Sequence, residues 1–276
     1  MAMDAPPPAT HLPSAGPGKV IGAMLVDLLL AAAVMIAMSL VAGTIWGAWR
    51  GLQVGMELAG QGKAIEAADV MKQIGRPGGV AMLWMSLVST APAALVPYWW
   101  RRRATPVEKR RSKAAALRPS TWGWTLATAA FVFLASSTIT ALGKHFGIAP
   151  EPTNQAPIIE AMTSAPLFAI LFVLLLAPAY EELLFRRVLF GRLWAAGWPW
   201  LGMVLSGIAF ALLHEVPGLS ANPLPATLML WLVYAVMGMA FAWVYRRTET
   251  LWAAFVAHML NNAVALAVLQ LSGHGM

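Results

Sequence analysis

LLLAPAYEELLFRRVLF, residues 174–190, decides how this chain folds. An apolar run leads into two adjacent carboxylates, Glu181 and Glu182, and then into Arg186 and Arg187. An ionised side chain at the centre of a bilayer costs roughly 3 kcal/mol, so such groups face a bundle interior or a water-filled cavity. The run therefore reads as a helix that carries chemistry on its inner face.

The rest of the chain supports a membrane setting. It is 59% hydrophobic and 11% charged over 276 residues, with a mean hydropathy of +0.66. A soluble domain of this length could not hide that much apolar surface. Several runs reach the roughly 20 apolar residues needed to cross a bilayer core. The fold class is an all-α, polytopic transmembrane bundle of about seven spans (six to eight). They are read at 20–48, 79–100, 121–142, 164–190, 200–216, 226–245 and 250–271. The absence of cysteine excludes disulfides, thiolate metal sites and a cysteine nucleophile. The net charge of +7 is a topology signal rather than a nucleic-acid footprint.

Residues 1–19, rich in Pro, Ala and Gly, read as a disordered cytoplasmic tail. They lack the basic start and short apolar core of a cleavable signal, so the first span is expected to remain. The loop RRRATPVEKRRSKAAALRPS holds eight of the 19 basic residues and is read as cytoplasmic. Counting outward puts the N-terminus inside. Tryptophans 46, 49, 99, 100, 122, 124, 198 and 200 cluster at the implied interfaces. Residues 51–78 read as a short external amphipathic helix, either a partner-binding element or a structured loop. Asp27 reads as reaching the headgroups. The chain divides into the tail, a variable membrane region at 20–119, and a second membrane domain at 120–276.

Three pairs have i, i+4 helical spacing: Glu182 with Arg186, Phe210 with His214, and His258 with Asn262. Glu181 and Glu182 lie about 100° apart around the helix, so Arg186 holds Glu182 and leaves Glu181 free. His214 and Glu182 are each 16 residues from Trp198, which places them at one height if their helices form a hairpin. His258 matches that height only if the hairpin projects beyond its neighbours. One carboxylate, two imidazoles and an amide can activate water and hold an oxyanion. They could equally bind zinc, move protons in a transporter, or form a buried polar network that fixes packing.

The three motifs in order, EELLFR (181–186), FALLH (210–214) and HMLNN (258–262), resemble the EExxxR, FxxxH and HxxxN signatures of the CPBP family. These are the CAAX-processing and bacteriocin-processing intramembrane proteases, also called the Abi family. The resemblance covers roughly residues 120–276. It implies a helical bundle with a cavity opening toward the cytosol and peptide-bond hydrolysis by activated water. By motif position, Glu181 is the general base and His214 helps it orient the water. His258 and Asn262 stabilise the oxyanion, Glu182 and Arg186 shape the site, and Phe210 packs beneath His214. A metal-free mechanism is favoured, because His214-Glu215 continues as Val216, Pro217 and Gly218 and not as HExxH. A zinc-dependent version, with Glu181, His214 and His258 as ligands, stays open, as does a non-proteolytic scaffold that binds a membrane-protein partner. Expected partners are a peptide or membrane-protein substrate and the lipid bilayer, not nucleic acid. The expected location is a bacterial cytoplasmic membrane. There a prenylated CAAX substrate, the kind that eukaryotic relatives trim, has little place.

Overall fold

Each apolar run becomes one helix, and the loops between them are short. The computed structural model describes residues 15–62 and 66–271. The elements are α1 (Pro17–Gly60), α2 (Ala67–Ile74), α3 (Gly79–Arg101), α4 (Pro106–Ala116), α5 (Pro119–His145) and α6 (Gln155–Ser164). Then follow α7 (Pro166–Ala195), α8 (Pro199–His214), α9 (Leu224–Thr248) and α10 (Leu251–Leu271). Six of these helices, α1, α3, α5, α7, α9 and α10, are long and apolar enough to cross a membrane, and α8 is a shorter apolar helix. The fold is a polytopic helical membrane bundle, with six candidate spans and the shorter α8 at the seven expected positions. Most of the expected N-terminal tail, residues 1–14, lies outside the described residues, and α1 already begins at Pro17.

Three expectations need correction. Residues 51–60 do not form a separate surface helix but prolong α1 to 44 residues. That length is about 66 Å, well beyond a hydrocarbon core of about 30 Å. The amphipathic piece is the short α2, which packs beside Gly51 through Val70 and Ile74. The basic loop is not a loop throughout: Thr105 and Glu108 form a reciprocal capping box that starts α4, with Pro106 in the first turn. Asp27 does not reach outward. It has no exposed surface and pairs with Arg101 at the end of α3 and with Arg192 of α7, at 2.5 Å. A carboxylate buried between two guanidiniums ties α1, α3 and α7 at one rim.

The same rim gathers further cations. Arg187 grips Glu108 with two hydrogen bonds of 2.9 Å each, and Arg102 donates to the carbonyl of Gly191 at 2.9 Å. Burial, then the neighbouring Arg187 and Arg192, lower the Arg102 guanidinium to about 10, which leaves it charged at neutral pH. Arg103 lies over Trp99, Arg246 over Trp200 and Arg247 over Trp124, the arrangement of an interfacial belt.

The core lies where α7 is enclosed. Phe185, Val188, Leu189 and Phe190 of α7 are fully buried against Phe210 of α8 and Phe241 of α9. The α8–α9 crossing is close because glycines meet there. A Cβ on Gly207 would lie 2.8 Å from the Ala235 carbonyl, and one on Gly238 would lie 2.8 Å from the Gly207 Cα. Small residues at such crossings let helix backbones approach in lipid.

Asp27→Ala leaves Arg101 and Arg192 facing each other without their counter-ion. The expected loss is about 3 kcal/mol in detergent unfolding, with Asp27→Asn losing less. At Glu108, burial raises the carboxyl, but the bonds from Arg187 and the Thr105 N–H outweigh it and hold it at about 2, below its free value of 4.5. The Arg187–Glu108 clamp therefore contributes stability above pH 4.5 that fades as pH falls toward 2. Unfolding midpoints measured across that window should lose this slope in Glu108→Gln.

Candidate active site

Helix α7 is not a uniform α-helix. Wide turns with i→i+5 hydrogen bonding run over Phe172–Leu176 and Leu183–Phe190, and the ordinary turn between them, Ala177–Glu182, carries both glutamates. Such wide turns collect at functional sites. The first has a local cause. Ala177 donates to the Phe172 carbonyl, five residues back, and Pro178 has no N–H to offer the Val173 carbonyl in the same register. The Asn262 amide fills that gap, donating to the Val173 oxygen at 3.0 Å.

Every residue singled out by the motifs gathers at the meeting of α7, α8 and α10. Glu182 and Arg186 are both fully buried, with Nε and Oε2 2.9 Å apart. The alignment there misses hydrogen-bond geometry, so the attraction is Coulombic. The rest of the guanidinium has no polar partner among the described residues. It lies instead over ring faces, 4.6 Å from Phe210, 5.3 Å from Phe241 and 5.7 Å from Phe185. Glu182 also accepts from His258 Nδ1 at 2.9 Å. Phe210 sits at the hub, with ring centroids 4.2 Å from His214, 5.9 Å from His258 and 5.0 Å from Phe185.

Glu181 is placed differently from its neighbour. Its Oε2 is enclosed but has no hydrogen-bond partner among the described residues. It stands 3.7 Å from the Nε2 of His214 and 3.7 Å from the Nε2 of His258. These gaps exceed a hydrogen bond. Tautomers follow from the outer nitrogens. His214 Nδ1 lies 2.9 Å from the Phe210 carbonyl, which can only accept, so Nδ1 carries the hydrogen. His258 Nδ1 faces an ion-paired carboxylate and carries its hydrogen likewise. In the neutral rings both Nε2 lone pairs turn toward Glu181. An apolar cavity of about 60 Å³ opens beside Glu181, walled by Leu28, Ala31, Ala32 and Met35 of α1 and Thr90 and Ala93 of α3.

The height question raised by the sequence is resolved as the projecting case. Helix α7 runs 13 residues past Glu182, whereas α9 runs seven past Phe241, which stacks on His258 at 4.9 Å. The α7–α8 hairpin thus projects six residues beyond the α9–α10 hairpin. Helix α8 ends at His214, with Pro217 just beyond.

Residues that sequence reading passed over also build the site. Tyr234 lies against His214 at 4.5 Å, and Trp231 donates to the Glu215 carbonyl at 2.7 Å. The buried Glu215 carboxylate accepts from the Thr153 N–H and hydroxyl, both at 2.7 Å. Nothing in one sequence separates Tyr234 and Phe241 from lipid-facing aromatics. Glu215 did carry a signal, as a carboxylate directly after a site histidine.

Among the described residues, no three His, Cys, Asp or Glu side chains are grouped to hold a metal ion.

Residues 163–264 match the family described as type II CAAX prenyl endopeptidase Rce1-like. A Bacillus subtilis (strain 168) protein, "Putative membrane peptidase YdiL", is 29% identical over 126 residues, which is 46% of this chain and 46% of that protein. The match spans about half the length of that curated relative. No solved structure matches the chain. Glu181, His214, His258 and Asn262 all fall inside the matched segment, whereas the α1 and α3 walls of the cavity lie outside it.

Asn262→Ala exposes the Val173 carbonyl as an unpaired buried acceptor and is expected to cost about 1–3 kcal/mol. Pro178→Ala supplies an N–H in the right register. It should stabilise the Asn262→Ala background more than it stabilises the parent in a thermal double-mutant cycle.

Proposed function

We propose that the chain is an intramembrane endopeptidase of CAAX-protease type that hydrolyses a peptide bond with water activated at Glu181. The observation that carries this reading is the enclosed, unpartnered Glu181 Oε2 between two imidazole Nε2 atoms. One water seated there gives its two hydrogens to Glu181 Oε2 and His214 Nε2, which leaves an oxygen lone pair for the substrate carbonyl. As the new C–O bond forms, Glu181 takes the proton, and the carbonyl oxygen becomes an oxyanion. His258, backed by Glu182, donates from Nε2 when its ring holds both protons. Asn262 has a second amide hydrogen beyond the one on Val173. These two form the oxyanion site. The C–N bond then breaks, and Glu181 returns its proton to the leaving nitrogen.

Two carboxylates face one guanidinium in this cluster. A His258 holding both ring protons supplies the second cation, so Glu182 stays committed to Arg186 and His258 while Glu181 is the carboxylate that takes the proton. The family match and the peptidase name of the Bacillus subtilis relative agree with this chemistry. The substrate is a peptide or membrane protein presented from the bilayer. The arginines and tryptophans of the basic rim support reading that side as the cytoplasmic face.

The test is cleavage of a peptide library by the purified protein, read by mass spectrometry. Glu181→Gln should lose at least about a thousandfold in rate with an unchanged melting profile, and His258→Ala should also lose cleavage. Activity should survive a strong chelator. Cleavage retained by Glu181→Gln would leave a scaffold in which these residues only pack, and loss to the chelator restored by zinc would revive the metal version.

A further inference from the structure

Helix α9 contributes none of the three family motifs, yet it holds the most exposed member of the imidazole pair at two points. The His214 ring sits in the wedge between Phe210 and Tyr234. Its plane is tilted 38° from the first and 32° from the second, while those two rings are inclined at 68° to each other. The two centroids stand 4.2 and 4.5 Å from the imidazole and 6.3 Å from each other, so the rings flank it as two adjacent walls at about a right angle. One turn earlier on the same face of α9, Trp231 Nε1 donates to the carbonyl of Glu215, the residue after His214, at 2.7 Å.

These contacts matter because His214 is the last residue of α8. A helix end frays, and its side chain has no following turn to brace it. Phe210 fixes the ring from its own helix, through stacking and through the carbonyl bound to Nδ1. Tyr234 of α9 adds a second wall from another helix. The Gly207–Gly238 crossing sets the spacing: Gly207 lies one turn before Phe210, and Gly238 lies one turn after Tyr234.

We propose that Tyr234, assisted by Trp231, is a positioning residue that closes the wedge on His214 and keeps its Nε2 aimed at Glu181. The proposal deepens the protease reading and rests on it for its catalytic consequence, but the clamp itself is measurable without cleavage.

The experiment compares wild type, Tyr234→Phe, Tyr234→Leu and Trp231→Phe as full chains in detergent. The first readout is the rate at which diethyl pyrocarbonate modifies His214 at fixed neutral pH, resolved by peptide mass spectrometry, with His258 as the internal reference. The second is kcat and KM on a library peptide that the wild type cleaves. Tyr234→Leu should expose His214 to modification several-fold faster while His258 is unchanged, and should lower kcat about tenfold with KM within about twofold. Tyr234→Phe keeps the ring face and should restore both values. Trp231→Phe loses the indole donor and should show the same change to a smaller extent, which keeps the test decisive if Tyr234→Leu does not fold. Unchanged His214 reactivity in Tyr234→Leu and Trp231→Phe overturns the proposal, as does a Tyr234→Phe variant that behaves like the leucine. Absence of cleavage by the wild type would instead count against the protease reading, and the modification rates would still decide the clamp.

Discussion

A carboxylate and a guanidinium buried together must satisfy each other. The Glu182–Arg186 pair is fully enclosed, and much of the core is arranged around it. Phe185, Phe210 and Phe241 offer ring faces to the cation where water would otherwise be needed. His258 supplies the donor that the second carboxylate oxygen requires. Each of these groups comes from a different helix, so one charge pair sets how α7, α8, α9 and α10 approach. Arginine suits the task because its delocalised charge is weakly hydrated and stacks on aromatic faces, which a lysine ammonium does less well.

A second charged knot works on the same principle with different helices. Asp27 joins α1 and α3 to α7 at the rim, and Glu108 joins α4 to it. The N-terminal helices lie outside the segment that matches the family, yet they wall the cavity beside Glu181. Any drift of α1 from the rim would therefore change the space next to the candidate base. Structural charge at one end and chemical charge in the middle are coupled through the single helix α7.

Much of this was legible in the residues. Span positions followed from apolar runs, because burial in lipid demands them. The Glu182–Arg186 pair followed from helical spacing, which is local geometry. Contacts between distant segments were not legible: Asp27 finds its partners 74 and 165 residues away, and no spacing rule reaches that far. Asn262 was read for its chemistry. Its bond to Val173 depends on a wide helical turn that no sequence pattern announced, although Pro178 hinted at a missing donor. Helix α4 had a visible start in Thr105-Pro106-Val107-Glu108, hidden by the habit of reading basic runs as loops.

The stacking of Phe241 on His258 bears on the depth of the candidate site. His258 lies seven residues into α10, so that site is about 10 Å below the α9–α10 turn. An extended chain covers that distance in about three residues, but a helix needs about seven. A helical segment also keeps its carbonyls engaged in its own hydrogen bonds and screened by side chains. A substrate that reached this depth would have to arrive as a strand-like end or a locally unwound segment. Helix propensity near the cleaved bond would then select substrates before any side-chain pocket did.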